Sequence, residues 1–109
     1  MISLSLHEIA KVIDAELIGS GETLVTNSVE TDSRLIKSGS LFVAKPGEVT
    51  DGHLFVSNAH ANGAVAAIVE HRVDEPINQL VVKDSVHALG LLAEFVVAEV
   101  KAQGSLQVI

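Results

Sequence analysis

Residues 40–69, SLFVAKPGEVTDGHLFVSNAHANGAVAAIV, decide the fold. Ser40 to Ala44 is apolar and bounded by Gly39 and Pro46, the pattern of a strand. Lys45 to Gly52 is a loop. Leu54 to Asn62 reads as a helix, with Phe55, Ala59 and Asn62 on related faces. Gly63 suits its C-terminal cap, because glycine accepts the left-handed backbone required there. Ala64 to Val69 is a continuous apolar run of buried-strand length.

Working outward from this unit, the chain keeps alternating. On the N-terminal side, Ser5 to Asp14 reads as a short helix. Ser5 and Glu8 have capping-box spacing, and Leu6, Ile9, Ala10 and Ile13 give it one apolar face. Leu17 and Ile18 are extended, Gly19-Ser-Gly21 is a turn, Thr26 to Thr31 is a strand, and Leu35 to Gly39 is a connector. On the C-terminal side, His71 to Asn78 is a polar loop and Gln79 to Lys83 a strand. Asp84 is placed to cap a long helix, Ser85 to Gln103, with Val86, Leu89, Ala93, Val96, Val97 and Val100 as its apolar stripe. Gly104 ends it. Alternating helices and strands indicate an α/β domain with helices packed on a sheet. A β-like run opens at Leu106, so the chain is expected to be a piece of a longer protein, with 105–109 starting its next domain.

Composition narrows the function. The chain has 109 residues, a size that fits one domain, and 48% are apolar. The net charge of −7 and an aromatic set limited to Phe42, Phe55 and Phe95 argue against a nucleic-acid surface, which needs basic residues and stacking platforms. A small anion held by a few local cations stays open. With no cysteine, disulfides and thiolate metal sites are excluded. No apolar run reaches the roughly 20 residues that span a bilayer, and the first residues lack a basic leader. The expected compartment is the cytoplasm.

The candidate chemistry lies between Thr31 and His53, where three of the seven Lys/Arg (Arg34, Lys37 and Lys45) fall. Thr31, Asp32, Ser33 and Arg34 follow a strand. Their side chains can cap local N–H groups, or Ser33 and Arg34 can face a ligand, a guanidinium being well shaped for phosphate. Gly47 and Gly52 let backbone approach a ligand, and Glu48, Val49 and Thr50 could offer main-chain groups to a base edge. This is not a Walker loop, since no Gly-Lys-Ser/Thr follows. Asp51 suits a cap for the helix beginning near Leu54. The five histidines, His7, His53, His60, His71 and His87, form no metal motif. His53 and His60 stand two helical turns apart, roughly 10 Å, too far to share one ion. Ser33 with His53 could be drawn as a dyad, but it lacks an orienting third group. No catalytic residue and no metal ligand is assigned.

The motif set resembles that of the Mur ligases, the ATP-dependent enzymes that build the peptide stem of bacterial cell-wall precursors. The resemblance runs through Leu4-Ser-Leu-His-Glu-Ile-Ala10, Asp32-Ser-Arg34, Gly39-Ser-Leu-Phe-Val-Ala44, Gly47-Glu48, Asp51-Gly-His53, Gly63-Ala64 and Leu80-Val-Val-Lys-Asp84. Asp51-Gly-His53 and the Gln79–Asp84 strand lean toward the branch that adds D-alanyl-D-alanine to the UDP-MurNAc-tripeptide. The branch that adds the third amino acid is the alternative, and a non-catalytic interaction module is the alternative outside the family.

The resemblance implies a three-layer α/β/α domain with a small mixed sheet. It implies that residues 1–104 bind the UDP end of a UDP-MurNAc-peptide, with Thr31 and Ser33 lining the uracil and diphosphate site. Glu48, Val49 and Thr50 match the loop that packs over the nucleotide, and Arg34 and His53 are added near the diphosphate. Lys45-Pro46 departs from the family pattern, and Pro46 is expected to stiffen that loop. ATP and Mg2+ are expected only in a full-length enzyme, whose central and C-terminal domains would be further partners. The piece in hand is expected to catalyse nothing alone, and no nucleic-acid or membrane partner is implied.

Overall fold

A computed structural model describes residues 4–45 and 52–104. The opening ribbon pairs β1 (Leu4–Ser5) antiparallel with β3 (Leu24–Val25). Between them run α1 (Leu6–Ile13) and β2 (Glu16–Ile18). The chain continues through β4 (Val29–Glu30), a 3-10 turn at Ser33–Leu35 and β5 (Leu41–Val43). A second 3-10 turn, Gly52–Phe55, leads into α2 (Val56–Ala61), then β6 (Ala66–Val69), β7 (Asn78–Val81) and α3 (Ser85–Gly104).

The main sheet has the order β2-β7-β6-β5-β4. Strands β4 to β7 are mutually parallel, and β2 joins the β7 edge antiparallel. The sheet is therefore small and mixed, as the resemblance implied. Its side chains alternate between faces with the strand period of two. Leu41, Val43, Ala66, Ile68, Leu80 and Val82 pack with Leu6, Ile9 and Ile13 of α1 and Ala88 and Leu92 of α3. Phe42, Ala44, Ala67 and Val69 pack with Ile36, Val56 and Ala59 on the other face. Phe42 stands in register with Ala67, so a large side chain meets a small one within that layer. The result is three layers, helices on both faces of one sheet.

The capping expectations at Ser5, Gly63 and Asp84 are met in detail, whereas the one at Asp51 lies outside the described residues. Ser5 Oγ accepts from the Glu8 backbone N–H at 3.2 Å, and Glu8 Oε1 accepts from the Ser5 N–H at 3.1 Å, completing the box. At the end of α2, the Ala64 N–H donates to the Ala59 carbonyl and the Gly63 N–H to the His60 carbonyl, at 3.0 and 3.1 Å. That pair is a Schellman closure, and it needs the φ of +113° that Gly63 adopts. Asp84 Oδ1 accepts from the His87 N–H at 3.0 Å, while Glu70 Oε2 takes the Ser85 N–H at 2.8 Å and its hydroxyl at 3.1 Å.

Three expectations change. The strand placed over Thr26 to Thr31 is only Val29–Glu30. The N–H groups of Thr26 and Asn27 instead donate to the Gly39 carbonyl, holding that stretch on a turn. The helix placed over Leu54 to Asn62 starts as a 3-10 turn and buries Val56 and Ala59, not Phe55. The stripe of α3 is rotated: Ser85, Ala88 and Leu92 are buried, whereas Val86 and Val97 are 54% and 53% exposed. The β-like run at Leu106 to Ile109 lies outside the described residues, as do Pro46 to Asp51.

Candidate functional site

Thr31, Asp32, Ser33, Arg34, Phe55 and Asn58 border one open cleft of about 510 Å3. It sits where β4 ends and the first 3-10 turn begins, at the carboxyl edge of the parallel strands. The chain must turn here, and Asp32 makes the turn by a side-chain bond to the backbone two residues on. Its Oδ1 accepts from the Arg34 N–H at 2.9 Å, the Asx pattern that lets a short carboxylate replace a backbone acceptor.

The same carboxylate then holds the Arg34 side chain. Nε donates to Oδ1 at 3.0 Å and Nη2 to Oδ2 at 2.7 Å, a fork against both oxygens. The side-chain hydrogen bond from Arg34, followed by its backbone N–H, lowers the Asp32 pKa from 3.8 to about 2. Arg34 is raised by the same contact. The guanidinium is 87% exposed, so the pair is a surface feature, and its value is orientation more than stability. Guanidinium carries five N–H donors. The fork uses two and leaves three on an exposed guanidinium that borders the cleft.

Ser33 is nearly buried, at 7% exposure. Asn62, at the C-cap of α2, donates from Nδ2 to the Ser33 carbonyl at 2.9 Å. This single bond ties the 3-10 turn to α2 and therefore fixes one wall of the cleft against the other. Phe55 and Asn58 are three residues apart at the start of α2, on one side of a helical turn. Phe55 is 39% exposed.

The structure thus brings Thr31, Ser33 and Arg34 together. Glu48, Val49 and Thr50 lie outside the described residues, as does the His53 side chain. Two further lining residues, Phe55 and Asn58, were not proposed as site residues from the sequence. Their signal was available: an aromatic and an amide at helical spacing directly after Asp51-Gly-His53. Among the described residues, no group of three or more His, Asp or Glu could hold a metal ion.

A second cleft of about 500 Å3 opens at the opposite end of the sheet, beside Gly19, His60, Arg72, Glu75, Asn78 and Gln79. Gln79, Asn78, His60 and Glu75 are engaged with structure. Gln79 Oε1 accepts from the Val73 N–H and Gln79 Nε2 donates to the Val73 carbonyl, both at 2.9 Å. Asn78 binds the Ser20 N–H and the Val65 carbonyl at 3.0 Å. His60 Nδ1 lies 2.9 Å from Glu75 Oε1. This cleft is a by-product of how the 71–78 loop is pinned, which leaves the Thr31–Asn58 cleft as the candidate site.

Fold and cleft together define the class: a three-layer α/β domain with a polar, part-aromatic cleft at the carboxyl end of an edge strand. Residues 26–96 match the Mur ligase family, catalytic domain, and the chain belongs to that family. It is 41% identical over 103 residues to the UDP-N-acetylmuramoyl-tripeptide--D-alanyl-D-alanine ligase of Escherichia coli K12, covering 94% of this chain and 22% of that protein. It is 39% identical over 92 residues to the UDP-N-acetylmuramoyl-L-alanyl-D-glutamate--2,6-diaminopimelate ligase of Listeria monocytogenes serovar 1/2a, covering 84% and 19%. Among solved structures, MurF from Acinetobacter baumannii superposes with a TM-score of 0.77 at 35% identity, over 84% of this chain and 20% of that one. The chain therefore spans about a fifth of the length of these relatives.

Proposed function

We propose that residues 1–104 form the precursor-recognition domain of a MurF-type ligase, holding the UDP end of a UDP-MurNAc-tripeptide. The observation that carries this reading is the cleft itself. In a chain 41% identical to the D-alanyl-D-alanine-adding ligase of Escherichia coli, the Thr31-Asp-Ser-Arg34 turn forms a wall beside an exposed aromatic ring. That combination suits a nucleoside diphosphate. The ring suits a base, and the remaining donors of Arg34 suit a phosphate oxygen. Thr31 and Ser33 supply hydroxyl-bearing residues between them, and Glu48, Val49, Thr50 and His53 complete the proposed substrate-contact set.

In this reading the reacting end of the precursor lies elsewhere. No Gly-Lys-Ser/Thr triphosphate loop occurs in the 109 residues. ATP and Mg2+ belong to the full-length enzyme, which would form the amide bond in peptidoglycan-precursor synthesis, and this chain alone catalyses nothing. No helix among the described residues is long and apolar enough to cross a membrane. The 39% identity to a diaminopimelate-adding ligase favours a MurE-type enzyme as the second reading.

Calorimetric titration with UDP-MurNAc-tripeptide and UDP-MurNAc-dipeptide tests the domain assignment. Saturable binding of both, with equal displacement by UDP, supports recognition through the nucleotide. Absence of binding at millimolar precursor would refute it. A complete reading frame assayed for D-alanyl-D-alanine against diaminopimelate addition separates the two branches.

A further inference from the structure

We propose that Asn62 is a positioning residue for ligand binding. Its carboxamide, acting through the Ser33 carbonyl, sets where the turn carrying Ser33 and Arg34 stands against α2, and ligand affinity depends on that placement. This rests on the nucleotide reading above and adds to it a residue outside the cleft lining.

The helix end does not require an asparagine. Asn62 has φ −85° and ψ −3°, a backbone open to most residues, and Gly63 takes the left-handed position of the closure. The Asn62 N–H is already bonded within α2, to the Asn58 and Ala59 carbonyls at 3.0 and 3.2 Å. The side chain is the part with a separate task. Its Nδ2 donates to the Ser33 carbonyl at 2.9 Å. Among the described residues this is the sole hydrogen bond between α2 with its cap and the turn.

The two walls are held differently. α2 buries Val56 and Ala59, His60 Nδ1 lies 2.9 Å from Glu75 Oε1, and the Gly63 carbonyl accepts from the Gly39 N–H at 3.0 Å. It is a fixed platform. The turn is a small rigid unit. The Asp32 carbonyl accepts from the Leu35 N–H at 3.0 Å, and the Asp32 carboxylate holds the Arg34 N–H and guanidinium. These bonds are internal to residues 32–35, so they fix the shape of the turn and not its place. β4 and the buried Ile36 anchor its two ends, and Asn62 fixes its middle. Groups held in place before the ligand arrives need not be ordered on binding. Without the Asn62 donor the turn keeps its shape but shifts in place, and the ordering cost appears in affinity.

The test is calorimetric binding of UDP to the 109-residue chain, to Asn62→Ala and Asn62→Leu, and to Ile9→Val as a control. Circular dichroism confirms each fold, and the NMR signal of the Arg34 Nε–H reports the Asp32 fork. Ile9 is buried in the core on the α1 and α3 face of the sheet, away from the cleft, and Ile→Val costs stability comparable to a lost hydrogen bond. Both Asn62 variants are uncharged and are expected to weaken UDP roughly three- to tenfold, with the Arg34 Nε–H signal kept. Ile9→Val binds UDP like the parent chain. UDP affinity unchanged in both Asn62 variants overturns this inference and leaves the nucleotide reading standing. Equal weakening in Ile9→Val also overturns it, by showing an effect of stability alone. So does loss of the Arg34 signal in the free Asn62 variants, which would mean that the bond maintains the shape of the turn. A parent chain that fails to bind UDP at all removes the nucleotide reading, and this inference with it.

Discussion

Asn62 and Ser33 are joined across the candidate site by a 2.9 Å hydrogen bond from the Asn62 side chain to the Ser33 carbonyl. The bond links the end of α2 to the turn carrying Asp32 and Arg34. The two walls of the cleft are therefore joined by a contact between residues 29 positions apart.

Asn62→Ala removes this link and leaves the Ser33 carbonyl with only a long contact from the Ile36 N–H at 3.4 Å. The expected loss of stability is about 1–2 kcal/mol, the scale of a part-buried hydrogen bond. Urea unfolding measures it. A value indistinguishable from the parent chain would show that the turn is held by other means.

The Arg34 contacts hold the Asp32 carboxyl at about 2, below the ordinary 3.8. Its folded pKa is depressed, so the stabilising contribution is present above the unfolded value and is lost as pH falls through about 2. Carbon-detected NMR of the Asp32 carboxyl from pH 5 downward reads this directly, and in Arg34→Gln the midpoint is expected to return toward 3.8.

Gly63 occupies φ +113°, and a Cβ there would lie 2.7 Å from the Ser38 Cα and 2.9 Å from its nitrogen. Both atoms are backbone and cannot swing aside. Gly63→Ala is expected to cost about 2 kcal/mol or more from the combined strain and clash. Thermal melts check it, and a melting temperature within a degree or so of the parent would contradict the geometry.

The rotated face of α3 gives a paired prediction. Leu92 is 2% exposed, and Val97 is 53% exposed. Leu92→Ala should destabilise by about 2–5 kcal/mol, whereas Val97→Ala should stay within about 0.5 kcal/mol. The opposite ranking would restore the stripe expected from the sequence.

That stripe shows where sequence reading runs out. The segment from Val86 to Val97 is apolar nearly all round, so helical period alone cannot choose a buried face. The phase is set by capping contacts from Glu70 to Ser85 and from Asp84 to His87, the first of which spans 15 positions. By contrast, the Ser5–Glu8 box and the Gly63 closure are local, and both were legible. So was the strand at Leu41–Val43, whose apolar run is bounded by glycine and proline. The ribbon strand Leu24–Val25 was not legible, because two residues paired with a distant Leu4–Ser5 carry no period of their own. In the site, the Thr31–Arg34 turn was visible as a hydroxyl-rich cluster. The place of Phe55 on the cleft was not read from the sequence, because phenylalanine at helical spacing ordinarily means core.

Amide-resolved NMR of the 109-residue chain titrated with UDP tests the central claim most directly. The predicted result is saturable shifts at Thr31, Ser33, Arg34, Phe55 and Asn58, with residues around Gln79 and the opposite cleft unmoved. No change at Ser33, Arg34 or Phe55 at millimolar UDP, or shifts confined to the Gly19–Gln79 end, would contradict it.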